Sequence, residues 1–119
     1  MQGFLVAKLV RDWQEIWQWV LGKRWRVRVE GRSMLPTLKP NDDVLVVPVT
    51  RMTVLAPGDI VVCLHPFRPD LRMIKRVSEV FYDGGVFVLS DNAEEGNDSR
   101  SFGAIGRDRV VGLVTSRLL

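Results

Sequence analysis

The chain has 119 residues, enough for one domain with a single core, and its 46% hydrophobic and 26% charged residues are ordinary for a soluble globular protein. Its 17 basic residues face 14 acidic ones, so the net charge of +3 does not by itself imply nucleic-acid binding. The single cysteine, Cys63, excludes an internal disulfide and fits a reducing compartment, and one cysteine with one histidine excludes the usual zinc ligand sets. We therefore expect no metal and no other cofactor.

The first part of the chain predicts an amphipathic helix. Apolar residues recur at helical spacing between Val6 and Val20, with charged and polar residues on the opposite face, and Gly22 ends the pattern. We assign residues 1–24 to this helix. Charged residues interrupt its apolar stretch, which is too short to cross a membrane and lacks the basic start of a signal peptide.

The sequence leaves two alternatives for the surface that this helix contacts. It carries three tryptophans, Trp13, Trp17 and Trp19, and a basic cluster follows it at residues 23–32. The helix either packs on the core or lies on a membrane surface, and the cluster is either a solvated face or a surface for anionic lipid. We expect a cytoplasmic protein, either free or peripheral to the membrane.

Beyond residue 24 the period of the apolar residues changes to two, which predicts β-strands. Short valine-rich runs are typical of buried strands, and Asp83-Gly84-Gly85 is a hairpin turn signal between two of them. The strands are predicted at residues 25–29, 43–47, 59–64, 72–80, 86–89 and 109–115. The sequence therefore predicts a mostly β domain over residues 25–119, preceded by one N-terminal helix.

Ser33 is a candidate nucleophile in a loop directly after the first strand. Gly31 allows another backbone to approach closely, and Pro36 stops regular strand pairing. A serine in such a loop can face a cleft, with neighbouring backbone N–H groups placed to hold an oxyanion. Taken alone, however, the pattern is usually that of an ordinary loop serine.

Lys75 is a candidate base in the predicted strand at residues 72–80. Met73, Lys75 and Val77 share one face of that strand, so the lysine has an apolar neighbour on each side. Burial disfavours the charged ammonium and lowers a lysine pKa, which allows the neutral amine to take the proton of a serine hydroxyl. The alternative is a lysine whose stem is buried and whose amine reaches water.

Two further features complete the set of candidates. The loop at residues 90–103 is long for a small domain, which favours a function, although a solvated acidic loop is the alternative. Asp98 and Arg100 could pair across a tight turn and hold this loop. Cys63 lies in an apolar run and is interpreted as a buried core residue.

Four segments, taken in order, resemble the signal peptidase I family of Ser/Lys proteases, whose β-rich fold is related to that of the repressor proteases. Ser33 to Leu38 matches the nucleophile box, Ser-Met followed by Pro-Thr-Leu, and Gly58 to Val62 matches the Gly-Asp-Ile-Val-Val box. The third box is Lys75-Arg76-Val77. The fourth box is matched by Asp91, Asn92, Asp98, Ser99, Arg100 and Gly103. The matches span residues 25–114, and four boxes in order are strong evidence where one would be weak.

The resemblance implies that Ser33 is the nucleophile, that Lys75 is the general base, and that the Ser33 backbone N–H belongs to the oxyanion hole. It implies a protein precursor as substrate, bound as an extended strand against a sheet edge with small residues before the cut, and no nucleic-acid partner. Residues implied to support the active site are Gly31, Met34, Arg76, Asp91, Asn92, Asp98 and Arg100.

The sequence departs from the family pattern at two positions. Typical members carry a serine two positions before the nucleophile, where this chain has Gly31. Many also carry a serine that orients the lysine amine, and the matching position here is Gly96. We expect backbone groups or water to serve instead, unless the activity is weak. The membrane anchor usual in the family is not seen either.

Residues 65–77, beginning with His65-Pro66, resemble the short, anchorless maturation proteases of nickel-type superoxide dismutase. Those proteases remove a propeptide so that the new N-terminus can bind nickel. The resemblance therefore implies that this chain cleaves such a precursor. We assign no catalytic role to His65.

Three other functions are alternatives to this maturation protease. A leader peptidase acting on secretory precursors is the nearest, and it would need the N-terminal helix to reach a membrane. A self-cleaving repressor needs a DNA-binding domain, for which residues 1–24 are too short. A non-catalytic β-barrel module would bind nucleic acid through the basic cluster and would leave the four boxes as coincidence.

Overall fold

Six β-strands carry the fold of residues 24–118, the part of the chain that the computed structural model describes. A four-residue helix, α1 at Ser99–Phe102, and a 3-10 turn at Arg107–Arg109 precede the last strand. The strands are β1 Trp25–Arg28, β2 Asp43–Pro48, β3 Ile60–Leu64, β4 Arg72–Val80, β5 Val86–Leu89 and β6 Val110–Leu118. The prediction of a mostly β domain is confirmed, while the predicted helix at residues 1–24 lies outside the described residues, apart from Arg24.

The strands form one antiparallel sheet in the order β1-β2-β6-β3-β4-β5. Its central strand, β3, is buried on both faces. Val61 and Cys63 join one hydrophobic cluster with Met73 and Val77, whereas Val62 joins a second cluster on the other face. This double burial explains why β3 is a continuous apolar run in the sequence rather than an alternating one.

β1 and the start of β4 each have an edge with no strand beside it in the described residues. β1 is the outermost strand on its side of the sheet and pairs with β2 alone. β5 pairs with β4 only over Arg76–Val80, so the preceding stretch of β4, residues 72–75, extends beyond it. Both edges keep backbone groups that an added strand could pair with.

A β-bulge in β4 sets the register at the end of the β4–β5 hairpin. Glu79 pairs with Phe87, but the register shifts between Val77 and Glu79, so that Arg76 pairs with Leu89. Continuing that register by one residue sets Ser90 opposite Lys75. Without the extra residue, Lys75 would be opposite the next residue along, Asp91.

Gly112 marks the closest packing between β2 and β6. A Cβ at this position would overlap Val46 Cγ1 and would lie 3.1 Å from the ring of Trp25. A glycine at this point of β6 lets the apolar side chains of β1 and β2 cover the strand directly.

We expect Gly112→Ala to lower the free energy of unfolding by about 1–3 kcal/mol, because the added methyl overpacks this contact. Urea denaturation measures the effect. In the Val46→Ala background, which removes the overlapping methyl groups, the same change should cost distinctly less. Equal costs in the two backgrounds would show that Val46 is not what the new methyl meets.

Candidate active site

The loop that carries Ser33 is built by a glycine turn and two buried anchors. Gly31 has φ +73°, a conformation that glycine adopts without strain, and turns the chain out of β1. Met34 and Leu38 are buried in the second hydrophobic cluster, and the Leu38 N–H donates to the Met34 carbonyl at 2.9 Å. Ser33 lies between the Gly31 turn and the buried Met34 and is therefore fixed at the surface of the core.

The loop after β5 ties down the same segment from the other side. The Asn92 backbone N–H donates to the Ser33 carbonyl at 2.8 Å, and the Asn92 side-chain amide donates to the Arg32 carbonyl at 3.1 Å. The Thr37 hydroxyl donates to Asp91 at 2.5 Å. These bonds join residues about sixty positions apart, so the first and fourth boxes of the sequence form one unit.

Arg76 holds that unit onto β4. Its guanidinium binds both carboxylate oxygens of Asp91 at 2.8 Å, and it also donates to the Gly58 carbonyl at 2.7 Å. These bonds from Arg76 keep the pKa of Asp91 below its usual value. Because Arg76 follows Lys75 directly, β4 presents the Lys75 amine on one face and holds the Ser33 loop through Arg76 on the other.

The Lys75 side chain is buried, with 4% of it exposed. Burial lowers its pKa from the ordinary value, against an opposing effect from the negative charge of Asp98. The amine donates a hydrogen bond to the Ser90 hydroxyl at 2.9 Å. The burial expected for the Lys75 side chain is confirmed.

Asp98 and Arg100 pair as expected and organise the end of the loop. Asp98 is 2% exposed, caps α1 by accepting the Arg100 N–H, and binds the Arg100 guanidinium at 2.7 Å. It also accepts the Ser90 backbone N–H at 3.0 Å. The pKa of Asp98 is lowered to about 2, chiefly by the hydrogen bond from Arg100.

Gly96 is the point at which the candidate residues meet. A Cβ added there would lie 2.8 Å from Ser33 Cβ, 3.2 Å from Lys75 Nζ and 3.3 Å from Ser90 Oγ. Ser33 and Lys75, which are 42 positions apart in the sequence, thus both border the space that a side chain at position 96 would fill. The amine donates to Ser90 in this arrangement, and Ser33 lies beside it.

An open cleft of about 870 Å³ lies over these residues. It is lined by residues 26–31 of β1 and the loop after it, by residues 70–75 at the start of β4, and by Gly96. These ranges include the unpaired edge of β1 and the unpaired edge of β4 at residues 72–75. The cleft therefore offers backbone partners to an extended peptide directly beside Ser33.

Comparison with protein families identifies the chain. The model of the family described as "Signal peptidase, peptidase S26" matches residues 19–80 and 78–119. The chain belongs to this signal peptidase family. A search of the curated proteins found no match. Membership of a peptidase family indicates a serine peptidase, and it confirms the family to which the four sequence boxes point.

The structure brings together the residues that the sequence singles out in this signal peptidase family member. Arg76 with Asp91, Asp98 with Arg100, and Asn92 with the Ser33 loop form three sets of contacts around Ser33 and Lys75. Met34 contributes as a buried anchor, and Gly31 provides the turn. The catalytic roles of Ser33 and Lys75 remain predictions.

The sequence reasoning missed Ser90. Backbone groups or water were expected beside the lysine amine, but the group that accepts its hydrogen bond is the Ser90 side chain. Strand pairing could have suggested this serine, since it directly follows β5 in the hairpin with β4. The β-bulge makes this pairing invisible in the sequence, because a regular register would set Asp91 opposite Lys75.

The contacts of His65 and Cys63 are those of residues that pack the fold. The His65 ring packs on Phe102 with 4.7 Å between ring centres, and its Nδ1 accepts the Phe67 N–H at 3.1 Å. Cys63 is fully buried as predicted, and burial raises the pKa of its thiol to about 12, so it stays protonated at neutral pH. In residues 24–118, no three His, Cys, Asp or Glu side chains group as metal ligands.

The described part of the chain, residues 24–118, contains no helix that is long and apolar enough to span a bilayer.

We expect Asp98→Asn to lower the free energy of unfolding at pH 7 by about 1–3 kcal/mol, because it weakens charged hydrogen bonds to a buried group. The folded-state pKa of about 2 lies below the ordinary 3.8, so the carboxylate stabilises the fold above pH 3.8 and loses this effect as the pH falls through 2. The difference in unfolding free energy between wild type and variant should therefore shrink between pH 4 and pH 2.

The control for this experiment is Asp70→Asn, which changes an exposed carboxylate in the β3–β4 loop. It should alter the unfolding free energy by less than about 0.5 kcal/mol at either pH. A wild-type advantage over Asp98→Asn that stayed constant down to pH 2 would contradict the assignment of the low pKa to Asp98.

Proposed function

We propose that this signal peptidase family member is a serine endopeptidase that uses a Ser/Lys dyad to remove an N-terminal propeptide from a protein precursor. Ser33 is the nucleophile, and the neutral amine of Lys75 is the general base. The observation that carries this proposal is a buried lysine with a lowered pKa whose amine lies beside a loop serine at the floor of an open cleft.

The first half of the reaction forms an acyl-enzyme. Ser33 Oγ attacks the carbonyl carbon of the scissile bond while Lys75 Nζ accepts the hydroxyl proton. The C–N bond then breaks, and the ammonium of Lys75 returns that proton to the departing amine, which becomes the new N-terminus of the product. The low-polarity setting of Lys75 favours the neutral amine between these steps.

The Ser33 backbone N–H is available to stabilise the oxyanion. It makes no hydrogen bond with any other group of residues 24–118, and it belongs to the residue whose side chain attacks. The position of the missing family serine, Gly31, is open, with no atom within 4 Å of where a Cβ would be. In the second half of the reaction, water deprotonated by Lys75 hydrolyses the ester and frees Ser33.

The substrate binds as an extended strand in the cleft. The outer edge of β1 and the uncovered edge of β4 at residues 72–75 both have free backbone groups, and main-chain hydrogen bonds to such edges hold a peptide largely independently of its sequence. Selectivity then depends on the part of the cleft next to Ser33, which Gly96 and Met34 line.

The proposed precursor is that of a nickel-type superoxide dismutase. This assignment rests on the resemblance of residues 65–77, which form the loop between β3 and β4 and the first two thirds of β4. That segment lines one side of the cleft, where it can contact the substrate.

We expect the purified protein to cut a nickel-type superoxide dismutase precursor once, at the start of the mature chain. Ser33→Ala removes the nucleophile, and Lys75→Met removes the amine while keeping a long apolar side chain in the core. Each should lower kcat/KM by at least about 10³-fold. Mass spectrometry of the product termini measures the cut, and thermal unfolding checks the fold of each variant.

Ser116→Ala and Lys39→Met are the matched controls, because they make the same changes at exposed positions outside the lining of the cleft. Both should cleave at the wild-type rate. Cleavage of a secretory precursor instead, abolished by the same two variants, would keep the Ser/Lys peptidase and replace its substrate by that of a leader peptidase. Undiminished cleavage by folded Ser33→Ala would overturn the dyad itself.

The cleavage rate should rise with pH through the lowered pKa of Lys75. The protonated amine cannot accept the serine proton, so activity is low below that pKa and levels off above it. A profile of kcat/KM against pH, with Ser116→Ala run in parallel, measures the midpoint. A rate that is independent of pH between pH 6 and about 9 would count against Lys75 as the base.

A further inference from the structure

We propose that Arg68 and Arg72 select precursors that carry an acidic side chain about three to five residues from the scissile bond. The proposal rests on the Ser/Lys function above and names a feature of its substrate. Both arginines line the cleft from the side of β4, Arg68 in the β3–β4 loop and Arg72 at the first position of the strand.

The guanidinium groups of these two arginines have no acidic partner in the described part of the fold. Both residues are exposed, and neither side chain makes an ion pair or a hydrogen bond with any group of residues 24–118. The arginines of the opposite wall, Arg26 and Arg28, form ion pairs with Asp43 at 3.8 and 3.2 Å. The positive charge that remains available in the cleft is therefore concentrated on the side of the β3–β4 loop.

The lining of the cleft is positive as a whole. Apart from the buried Lys75, its described residues include four arginines and two acidic residues, Glu30 and Asp70. Asp70 lies between Arg68 and Arg72 in the sequence but forms no ion pair with either. A cleft with an excess of one charge favours a ligand of the opposite charge, and guanidinium groups form strong hydrogen bonds with carboxylates.

The geometry of β4 sets where the acidic residue lies relative to the cut. Arg72 is three residues before Lys75, and a strand rises about 3.3 Å per residue, so Arg72 is about 10 Å along the strand from the base. A peptide paired with the free edge of β4 at residues 72–75 advances by the same rise. The third residue from the scissile bond therefore lies beside Arg72, and Arg68, in the loop before β4, extends this range to about the fifth.

The loop that carries Arg68 is held by its own backbone. The His65 N–H donates to the Leu71 carbonyl at 3.0 Å, and the Leu71 N–H donates to the Arg68 carbonyl at 2.8 Å. The His65 ring packs on Phe102, which fastens the loop to α1. The backbone of Arg68 is thus in place before a substrate arrives, and only the side chain loses freedom on binding.

The test moves a single glutamate through a peptide that spans the cut site of the nickel-type superoxide dismutase precursor. Glutamate replaces each residue in turn on both sides of the cut, with glutamine at the same position as the uncharged control. We expect kcat/KM to be about 3- to 10-fold higher for glutamate at positions about three to five residues from the cut, on the one side that fills the cleft. The difference should lie in KM, because the contact is the same in the ground state and the transition state, and it should shrink at high salt.

Enzyme variants assign this preference to the two arginines. The double variant Arg68→Gln, Arg72→Gln should abolish it, whereas Arg51→Gln, the same change at an exposed position outside the lining of the cleft, should keep it. Arg72→Glu should reverse it, so that lysine is preferred to glutamine. Equal rates for glutamate and glutamine at every position, or a preference that survives in the double variant, would overturn the role of the arginines.

Anionic lipid is the other ligand that exposed arginines can bind. A peptide is favoured here because both arginines line the cleft beside a free strand edge. Sedimentation with phosphatidylglycerol vesicles compares the two ligands. If the double variant loses vesicle binding and glutamate gives no advantage in the peptide, the arginines bind a membrane surface and the proposal is overturned.

Binding of the labelled peptides to Ser33→Ala measures the same preference without cleavage. Glutamate peptides should bind more tightly than glutamine peptides by the same factor, and equal dissociation constants would overturn the proposal. Equal cleavage of all peptides by wild type, abolished in Ser33→Ala, would overturn the role of the arginines and leave the proposed function intact. Cleavage by folded Ser33→Ala would instead remove the proposed function, whichever peptide is preferred.

Discussion

The structure depends on one constraint, a lysine amine that is kept inside a small β domain without a carboxylate bound to it. An ammonium at this position would lose hydration, and burial lowers the pKa of Lys75 for that reason. The negative charge of Asp98 opposes this shift, but its oxygens are already engaged by Arg100 and by the Ser90 backbone. The amine is left with a neutral hydroxyl as its partner, which suits a group that must be able to lose its proton.

The two charged pairs of the site surround the Lys75 amine and do not include it. Arg76 with Asp91 fastens the Ser33 loop to β4, and Arg100 with Asp98 fastens the end of the β5 loop to α1. Each pair shows several hydrogen bonds in a partly buried setting, where such pairs constrain geometry more than isolated surface pairs do. Two loops that are far apart in sequence are thereby held rigidly about the cleft.

The bulge between Val77 and Glu79 is the local feature with the largest consequence for chemistry. With a regular hairpin, Lys75 would be opposite Asp91, and a carboxylate there would favour the charged ammonium. The added residue sets Ser90 at that position and turns Asp91 towards Arg76. One extra residue in β4 thus decides whether Lys75 is a base that can be neutral or one partner of a buried ion pair.

The sequence by itself predicted the β class and the bounds of β4 and β5, and it offered the burial of Lys75 and the pairing of Asp98 with Arg100 as one of two alternatives each. These follow from local rules: alternation of apolar residues, turn glycines, and residues two apart sharing a face. The family followed from four short boxes in order. Only the tertiary structure decided that Ser90 accepts the lysine hydrogen bond, that Ser33 and Lys75 both lie next to Gly96, and that Arg76 binds Asp91. Those contacts depend on strand register and on loops meeting over long sequence separations, and a one-residue bulge changes register without leaving a signal in the apolar pattern.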